Sequence, residues 1–167
     1  KMTYLELQEG KRIPELSVVK NALSQSYMAI DETIKTAEFN FKVRSGELEV
    51  AIRRENGVVE NLPLRILSDG IKSTLSMIAD IAYRMAILNP QLLDDILEET
   101  SGVVLIDEID MHLHPSWQKK IISVLKKIFP KVQFVFTTHS PSVLSNVSNK
   151  NILILDNFEI YPLENMM

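Results

Sequence analysis

The residues of this 167-residue chain best suited to chemistry are an adjacent pair of carboxylates and a distant imidazole. Asp107 and Glu108 follow directly on an unbroken apolar run, Val103-Val104-Leu105-Ile106. Such a run suits a parallel strand covered on both faces, and open α/β sheets bind ligands beyond the carboxyl ends of their strands. Two neighbouring carboxylates are costly to desolvate unless they meet a cation or a proton. One of them can hold a magnesium ion, directly or through water, while the other polarises a nucleophilic water. The plainer alternative is an exposed acidic pair at a strand end. His139 stands just past a second apolar run, Val132 to Phe136, after Thr137-Thr138. It can face Asp107 and Glu108 if the two strands are neighbours. A third feature is Leu67-Ser68-Asp69-Gly70, ahead of an amphipathic stretch. Ser68, the Gly70 backbone and the free N–H groups of a helix start make an anion site, aided by the helix dipole. The same residues also make an ordinary N-cap and turn.

The elements that must position these groups can be read from periodicity. Apolar residues at Leu16, Val19, Leu23, Tyr27, Ile30 and Ile34 predict a helix from Pro14 to about Ala37, about 35 Å long at ~1.5 Å per residue. It either packs on its own domain or forms the root of a projecting arm. Phe39, Phe41 and Val43, then Leu48, Val50 and Ile52, alternate with polar residues around Ser45-Gly46 and predict a β-hairpin. Asn56-Gly57 is a second turn, with a short strand at Val58-Val59. After Pro63 the pattern becomes α/β. Ile71, Leu75, Ile78, Ala82 and Met85 predict a helix over 71–88, ended by Asn89-Pro90, with a shorter helix over 91–99. Pro115 opens a helix expected to run to Phe129, with Ile121, Val124, Leu125 and Ile128 inward. Strands follow at Val132–Phe136 and Asn151–Leu155, the last expected to be buried, with a short helix from Pro141 between them.

Composition bounds the chemistry. Hydrophobic residues make up 46% and charged residues 24%, the balance of a globular protein rather than a disordered one. The net charge of −4 argues against a strongly basic nucleic-acid binder. With no cysteine, disulfides, zinc–thiolate sites, iron–sulfur clusters and thiol catalysis are excluded. No apolar run approaches the ~18–20 residues that span a bilayer, so no membrane partner is expected. The opening Lys1-Met2-Thr3-Tyr4 lacks an apolar signal region, so a cytoplasmic fragment of a longer protein is expected.

Other residues admit two readings. Asp107, Glu108, Asp110, His112, His114 and His139 could compose a metal-dependent nuclease or phosphatase site. Capping and packing before Pro115 account equally for His112 and His114. Lys119, Lys120, Lys126, Lys127 and Lys131 form a solvated helix face or a contact for a DNA backbone or another partner. Trp117 is a packing anchor or a base-stacking platform. Asp80 and Arg84, four apart, suit an intrahelical ion pair.

Taken together, the three candidate features resemble one family. Leu67-Ser68-Asp69-Gly70 resembles the ABC signature Leu-Ser-Gly-Gly-Gln, Val103 to Glu108 resembles a Walker B strand with its catalytic glutamate, Ile109-Asp110 stands where the D-loop follows, and His139 resembles the switch histidine. Their order and spacing over residues 62–156 are similar to the C-terminal lobe of ABC-type ATPases of the SMC, RecF and OLD-like group. The stretch from Asp107 to Gln118, with Thr137-Thr-His-Ser-Pro141, is most similar to the RecF-like, AAA-type ATPases of bacterial Septu (PtuA-type) and retron-associated defence systems. The resemblance implies an α/β, P-loop-NTPase-like lobe over 62–167, with a mainly parallel sheet flanked by helices. Residues 1–61 would add a helix and antiparallel hairpin, the base of an arm or insertion. It implies ATP and Mg²⁺ as cofactors, Asp107 on the metal, Glu108 and His139 as catalytic residues, and Ser68, Gly70 and Asp110 as nucleotide-site residues. It further implies head-to-tail, nucleotide-sandwiched dimerisation, and work on DNA repair or anti-phage defence with DNA and an effector nuclease as partners.

The chain departs from that pattern in two places. Asp69 replaces the first signature glycine and Ile71 the glutamine, which brings negative charge near a nucleotide unless Asp69 turns outward. The five glycines, Gly10, Gly46, Gly57, Gly70 and Gly102, include no pair spaced for Gly-x-x-x-x-Gly-Lys-Ser/Thr, so these residues hold no Walker A loop. A non-catalytic docking module is the alternative that this absence favours. We expect the 167 residues alone to show no appreciable ATPase activity in a phosphate-release assay. Magnesium-dependent turnover that Glu108→Gln abolishes would overturn that expectation.

Overall fold

Residue 31 is where the chain changes from helix to strand. The computed structural model describes residues 13–42, 46–111 and 113–163. Helix α1 (Pro14–Ile30) begins with proline, where a missing N–H costs nothing, and has Glu15 in its first turn. It buries Val18, Ala22, Leu23, Tyr27 and Ile30. The helix is shorter than the expected span to Ala37. The Asp31 carboxylate accepts hydrogen bonds from the Thr33 N–H (3.0 Å) and hydroxyl (2.7 Å), a local turn that competes with helix. The β-branched residues Thr33, Ile34 and Thr36 then favour extended backbone. Ile34 is buried as expected, but on a strand. Arg54 closes the junction, with its Nη1 3.0 Å from Asp31 Oδ2 and 2.8 Å from the Thr33 hydroxyl.

Strands β1 (Ile34–Lys42), β2 (Glu47–Arg54) and β3 (Val59–Pro63) form an antiparallel sheet in that order. Phe39 lies opposite Val50, and Ala37 opposite Ile52. A bulge between Ile34 and Thr36 lets Ile34 and Ala37 share the inner face despite their odd spacing. The hairpin expectation holds over these residues, although Val43 and Ser45 lie outside the described ones. The inner face packs on Leu23 and Tyr27 of α1, with Tyr27 edge-on to Phe39 at 6.0 Å.

Helix α2 (Asp69–Leu88) joins this sheet to the rest of the core. Its first half contributes Leu75 to the cluster over the antiparallel sheet, with Leu67 and Ile71 against it. Its second half contributes Ile78, Ile81, Ala82, Met85 and Ala86 to a larger cluster. The helix expected over 91–99 is a 3₁₀ segment, Pro90–Asp95, followed by the single turn α3 (Ile96–Glu99). Leu93 breaks it with φ 51° and ψ −116°.

Strand β4 (Gly102–Ile106) pairs in parallel with β5 (Val132–Phe136), Gly102 opposite Val132 and Ile106 opposite Phe136. The connection between them is α4 (Pro115–Gln118) and α5 (Ile121–Ile128), not one helix to Phe129. The backbone tightens at Lys120, whose N–H bonds the Trp117 carbonyl three residues back, 2.9 Å. Ile121, Val124, Leu125 and Ile128 of α5 point inward as their spacing predicts. After α6 (Pro141–Leu144) the chain ends in an antiparallel hairpin of β6 (Leu153–Asp156) and β7 (Glu159–Pro162).

Two expectations about these strands need correction. Among the described residues the only parallel pairing is β4–β5, set beside two antiparallel sheets, so the sheet is not mainly parallel. The apolar runs are also covered on one face only. Val104, Ile106, Phe134 and Phe136 pack on the larger cluster, while Val103 and Leu105 are 63% and 76% exposed. Strand β6, expected to be buried, is likewise exposed at Leu153 and Leu155.

The Asp31 junction carries a pH signature. The Thr33 hydroxyl bond, helped by Arg54, holds the Asp31 carboxyl below its ordinary range. A carboxylate lowered on folding adds stability above its unfolded value, about 4, and that stability is lost as pH falls through the native value. Asp31→Asn should therefore lower stability at pH 7 in urea titrations of the chain, with the gap to the parent closing below about pH 4. A gap that stays constant across that range would refute the account.

Candidate functional site

Parallel register brings the sequence-predicted residues of two segments to one sheet edge. The ladder runs on past the strand ends, with the Thr137 N–H on the Ile106 carbonyl (3.0 Å) and the Ile109 N–H on the Thr137 carbonyl (3.1 Å). Asp107 and Glu108 leave β4 here, and His139 follows β5 by three residues. The condition on which the sequence argument rested, that the two strands be neighbours, is met.

Hydroxyl groups tie the two segments together. Thr137 Oγ1 donates to Asp107 Oδ1 and accepts from the Glu108 N–H at 2.8 Å. Thr138 Oγ1 donates to Asp110 Oδ1, which also accepts from the His139 N–H at 3.3 Å. Asp107 and His139 are exposed, and Glu108 and Asp110 are half-buried. Between the acidic residues, Ile109 is buried and anchors the loop in the larger cluster, as Leu113 does at its far end. Glu108 has φ +50°, a left-handed conformation uncommon for a residue with a side chain.

Ser68 and Gly70 lie elsewhere. Ser68 caps α2, its Oγ accepting from the Ile71 N–H at 3.4 Å, and the buried Gly70 gives its carbonyl to the Thr74 hydroxyl at 2.9 Å. Asp69 turns outward, its side chain 90% exposed and 2.8 Å from Lys72. The α2 start sits over the antiparallel sheet, while the acidic edge belongs to the other cluster. The described residues show no hydrogen bond between Ser68 or Gly70 and Asp107, Glu108 or His139.

The remaining two-way readings resolve by contact. His114 caps α4, its Nδ1 accepting from the Ser116 N–H at 3.3 Å. His112 lies outside the described residues. Among the described residues no three of His, Asp and Glu gather as metal ligands. Lys120 is bound to the Ile30 carbonyl and Glu32, and Lys131 to Glu99, so the lysine run is not one free basic face. Trp117 packs on the larger cluster. The Asp80–Arg84 pair forms at 2.8 Å. No helix among the described residues is long and apolar enough to cross a membrane.

Sequence reasoning gave no individual role to four residues that hold the edge together, Thr137, Thr138, Gln118 and Ser140, although all four stand in the stretches that carry the family resemblance. Consecutive hydroxyls at one strand exit, opposite carboxylates at another, were the available signal for the threonines. Gln118 gave none beyond its place in that stretch. It ends α4, ten residues beyond Glu108, and reaches back with Nε2 to the Leu113 carbonyl (3.1 Å) and with Oε1 to the Ser140 hydroxyl (2.7 Å).

Comparison with known proteins places the chain. Residues 5–145 match the AAA_21 family model, described as "AAA domain, putative AbiEii toxin, Type IV TA system". The chain is 39% identical over 152 residues to the "Retron Ec83 probable ATPase" of Escherichia coli, covering 85% of this chain and 27% of that protein. It is 34% identical over 117 residues to the Septu protein PtuA of Bacillus thuringiensis, covering 68% of this chain and 28% of that protein. It thus spans roughly a quarter of the length of these relatives. In fold it is similar to an SMC ATPase studied for ATP-driven dimerization and DNA-stimulated activation, with TM-score 0.56 and 15% identity over 96% of this chain and 87% of that one. The SMC head domain of Thermotoga maritima gives TM-score 0.53 and 18% identity over 87% of this chain and 47% of that one. The chain, an α/β fold resembling an SMC ATPase head, belongs to the AAA_21 family, with a retron probable ATPase and a Septu protein PtuA among its homologues.

Proposed function

We propose that this chain is the portion of an ABC-type, ATP-hydrolysing protein that carries the signature, Walker B and switch-histidine segments. It acts in a nucleotide-sandwiched, head-to-tail dimer in the cytoplasm. The observation that carries this reading is the β4–β5 edge, where Asp107, Glu108, Asp110 and the His139 loop meet through the hydroxyls of Thr137 and Thr138.

The residues present fit part of a magnesium–nucleotide site. Asp107 is exposed and accepts the Thr137 hydroxyl through Oδ1, so its other oxygen suits a hard cation that prefers oxygen ligands. Magnesium is commonly held by one or two carboxylates together with phosphates and water, a role within reach of Asp107. Bound Mg–ATP supplies a γ-phosphoryl group whose charge the metal partly neutralises. In this reading Asp107 holds the cation, and Glu108 orients the attacking water and receives its proton. His139 hydrogen-bonds a γ-phosphate oxygen. Ser68 and the backbone at Gly70 meet the phosphate held by the partner subunit, and Asp110 lies at the interface between the two sites. Asp69, turned outward to Lys72, keeps its charge off that phosphate. Catalysis of this kind is mostly positioning and electrostatics. The similarity to retron and Septu proteins favours anti-phage defence over repair, with DNA and an effector nuclease as partners.

The left-handed backbone of Glu108 supports a functional role for that residue. Such conformations cost on the order of 1 kcal/mol or more and persist where the surroundings impose them. Here the Thr137 hydroxyl accepts the Glu108 N–H. Two substitutions test the reading. In the full-length protein, Glu108→Gln should leave ATP binding intact and slow turnover by about 10²–10⁴. Unchanged turnover refutes the role given to Glu108. In the 167-residue chain, Glu108→Gly should raise unfolding stability by about 0.5–1 kcal/mol, because glycine accepts this φ without strain. A loss of stability in urea denaturation would refute the strain argument.

A further inference from the structure

Among the described residues, the Gln118 amide is the polar side chain that reaches both segments of the edge from outside them. It stands half-buried at the end of α4. Its Nε2 donates to the Leu113 carbonyl at 3.1 Å and, at the long distance of 3.4 Å, to the Asp110 carbonyl. Its Oε1 accepts from the Ser140 hydroxyl at 2.7 Å. Ser140 is the N-cap of α6, its Oγ accepting from the Ser142 N–H at 3.2 Å. The Ser140 N–H donates to Thr138 Oγ1 at 3.0 Å, and Thr138 Oγ1 donates to Asp110 Oδ1. The bonds therefore close a ring through Asp110, Gln118, Ser140 and Thr138, with His139 inside it. The His139 N–H adds a spoke to Asp110 Oδ1 at 3.3 Å. Hydrogen bonds in such networks reinforce one another.

We propose that Gln118 is a positioning residue that locks the 110–113 loop to the His139 segment, so that the two move as one unit. The proposal rests on the ATPase reading for the roles of Asp110 and His139. The lock needs an uncharged primary amide, which alone offers two N–H donors and a carbonyl acceptor on one planar group. Glutamate keeps the acceptor for Ser140 but sets a carboxylate against two carbonyl oxygens. A purely structural tie between α4 and the segment after α6 already exists in Asn146, whose Nδ2 donates to the Lys119 carbonyl at 3.0 Å. Loss of the Gln118 amide thus uncouples the loops while that tie remains.

The test uses the full-length protein with Gln118→Glu, Gln118→Met and His139→Ala. Hydrogen–deuterium exchange without nucleotide should quicken in both 109–113 and 138–144 in either Gln118 variant. Exchange elsewhere should be unchanged. Steady-state ATPase should lose about tenfold in kcat, with KM for ATP within about twofold, the pattern of an interaction felt after binding. In the His139→Ala background, Gln118→Glu should add less than about twofold, because residues acting as a unit are not additive. Unchanged exchange in either segment, unchanged kcat, or fully additive losses would overturn the lock. If His139→Ala alone turns over at the parent rate, the role given to His139 fails, and exchange alone then decides whether Gln118 couples the loops. Should both Gln118 variants fail to fold, Ser140→Ala decides from the other end of the bond. Quickened exchange at 109–113, remote from the α6 cap, supports the lock, and unchanged exchange there overturns it.

Discussion

The candidate site depends on one hydroxyl group. Thr137 donates to the Asp107 carboxylate and accepts the Glu108 N–H, spanning the gap between two strands just where their ladder ends. Backbone bonds from Thr137 to Ile106 and Ile109 carry the register set by Ile106 opposite Phe136 three residues into irregular chain. The hydroxyl adds what those bonds cannot, a fixed orientation for the Asp107 carboxylate and the Glu108 N–H. Buried Ile109 and Leu113 then anchor the loop from below. Apolar anchoring fixes depth, and hydroxyl and amide bonds fix lateral position. Neither alone fixes the place of a carboxylate to the tolerance that the proposed phosphoryl transfer would require.

The division of α2 between two clusters has a consequence for how the motifs can meet. Its first half contributes to the cluster over the antiparallel sheet and its second half to the larger cluster. A rigid helix of 20 residues thereby keeps the Ser68–Gly70 turn apart from the acidic edge. The separation fits a signature that serves a phosphate held by another copy, which is the arrangement the family resemblance implies. It also makes α2 the element through which a displacement at the signature would reach the larger core.

Much of this was legible in the sequence because periodicity and polarity agreed. The α2 stripe, the β1–β2 hairpin and the two strands ahead of the acidic pair and His139 all emerged from apolar spacing. Errors arose where one pattern served two structures. Ile34 continues the α1 stripe and also begins an alternating strand, and only the Asp31–Thr33 turn, a side-chain effect, decides between them. The 115–129 run has helical spacing throughout, yet the backbone tightens at Lys120, whose ammonium is bound to the Ile30 carbonyl and Glu32. An unbroken apolar run indicated cover on both faces, but a run reports only what its side chains tolerate, and here one face is left exposed. The site was legible as types of residue at strand ends. The Gln118 ring was not, since it is built from contacts between segments that share no spacing rule.

Electrostatics gives the edge its direction. Asp107, Glu108 and Asp110 bring three carboxylates within four residues. Among the described residues no lysine or arginine forms an ion pair with any of them, while ion pairs form at Lys42–Glu49, Arg54–Asp31, Lys72–Asp69 and Lys120–Glu32. The bonds that these carboxylates do accept come from neutral threonine hydroxyls and a backbone N–H. Such donors orient a carboxylate without cancelling its charge. Like charges repel, and the repulsion falls when a cation arrives. An edge organised by hydroxyls keeps that attraction for an incoming ion, whereas a lysine in the place of Thr137 would consume it internally. Threonine in place of a basic residue thus leaves the edge without an internal countercharge among the described residues, as the proposed cation-binding role requires.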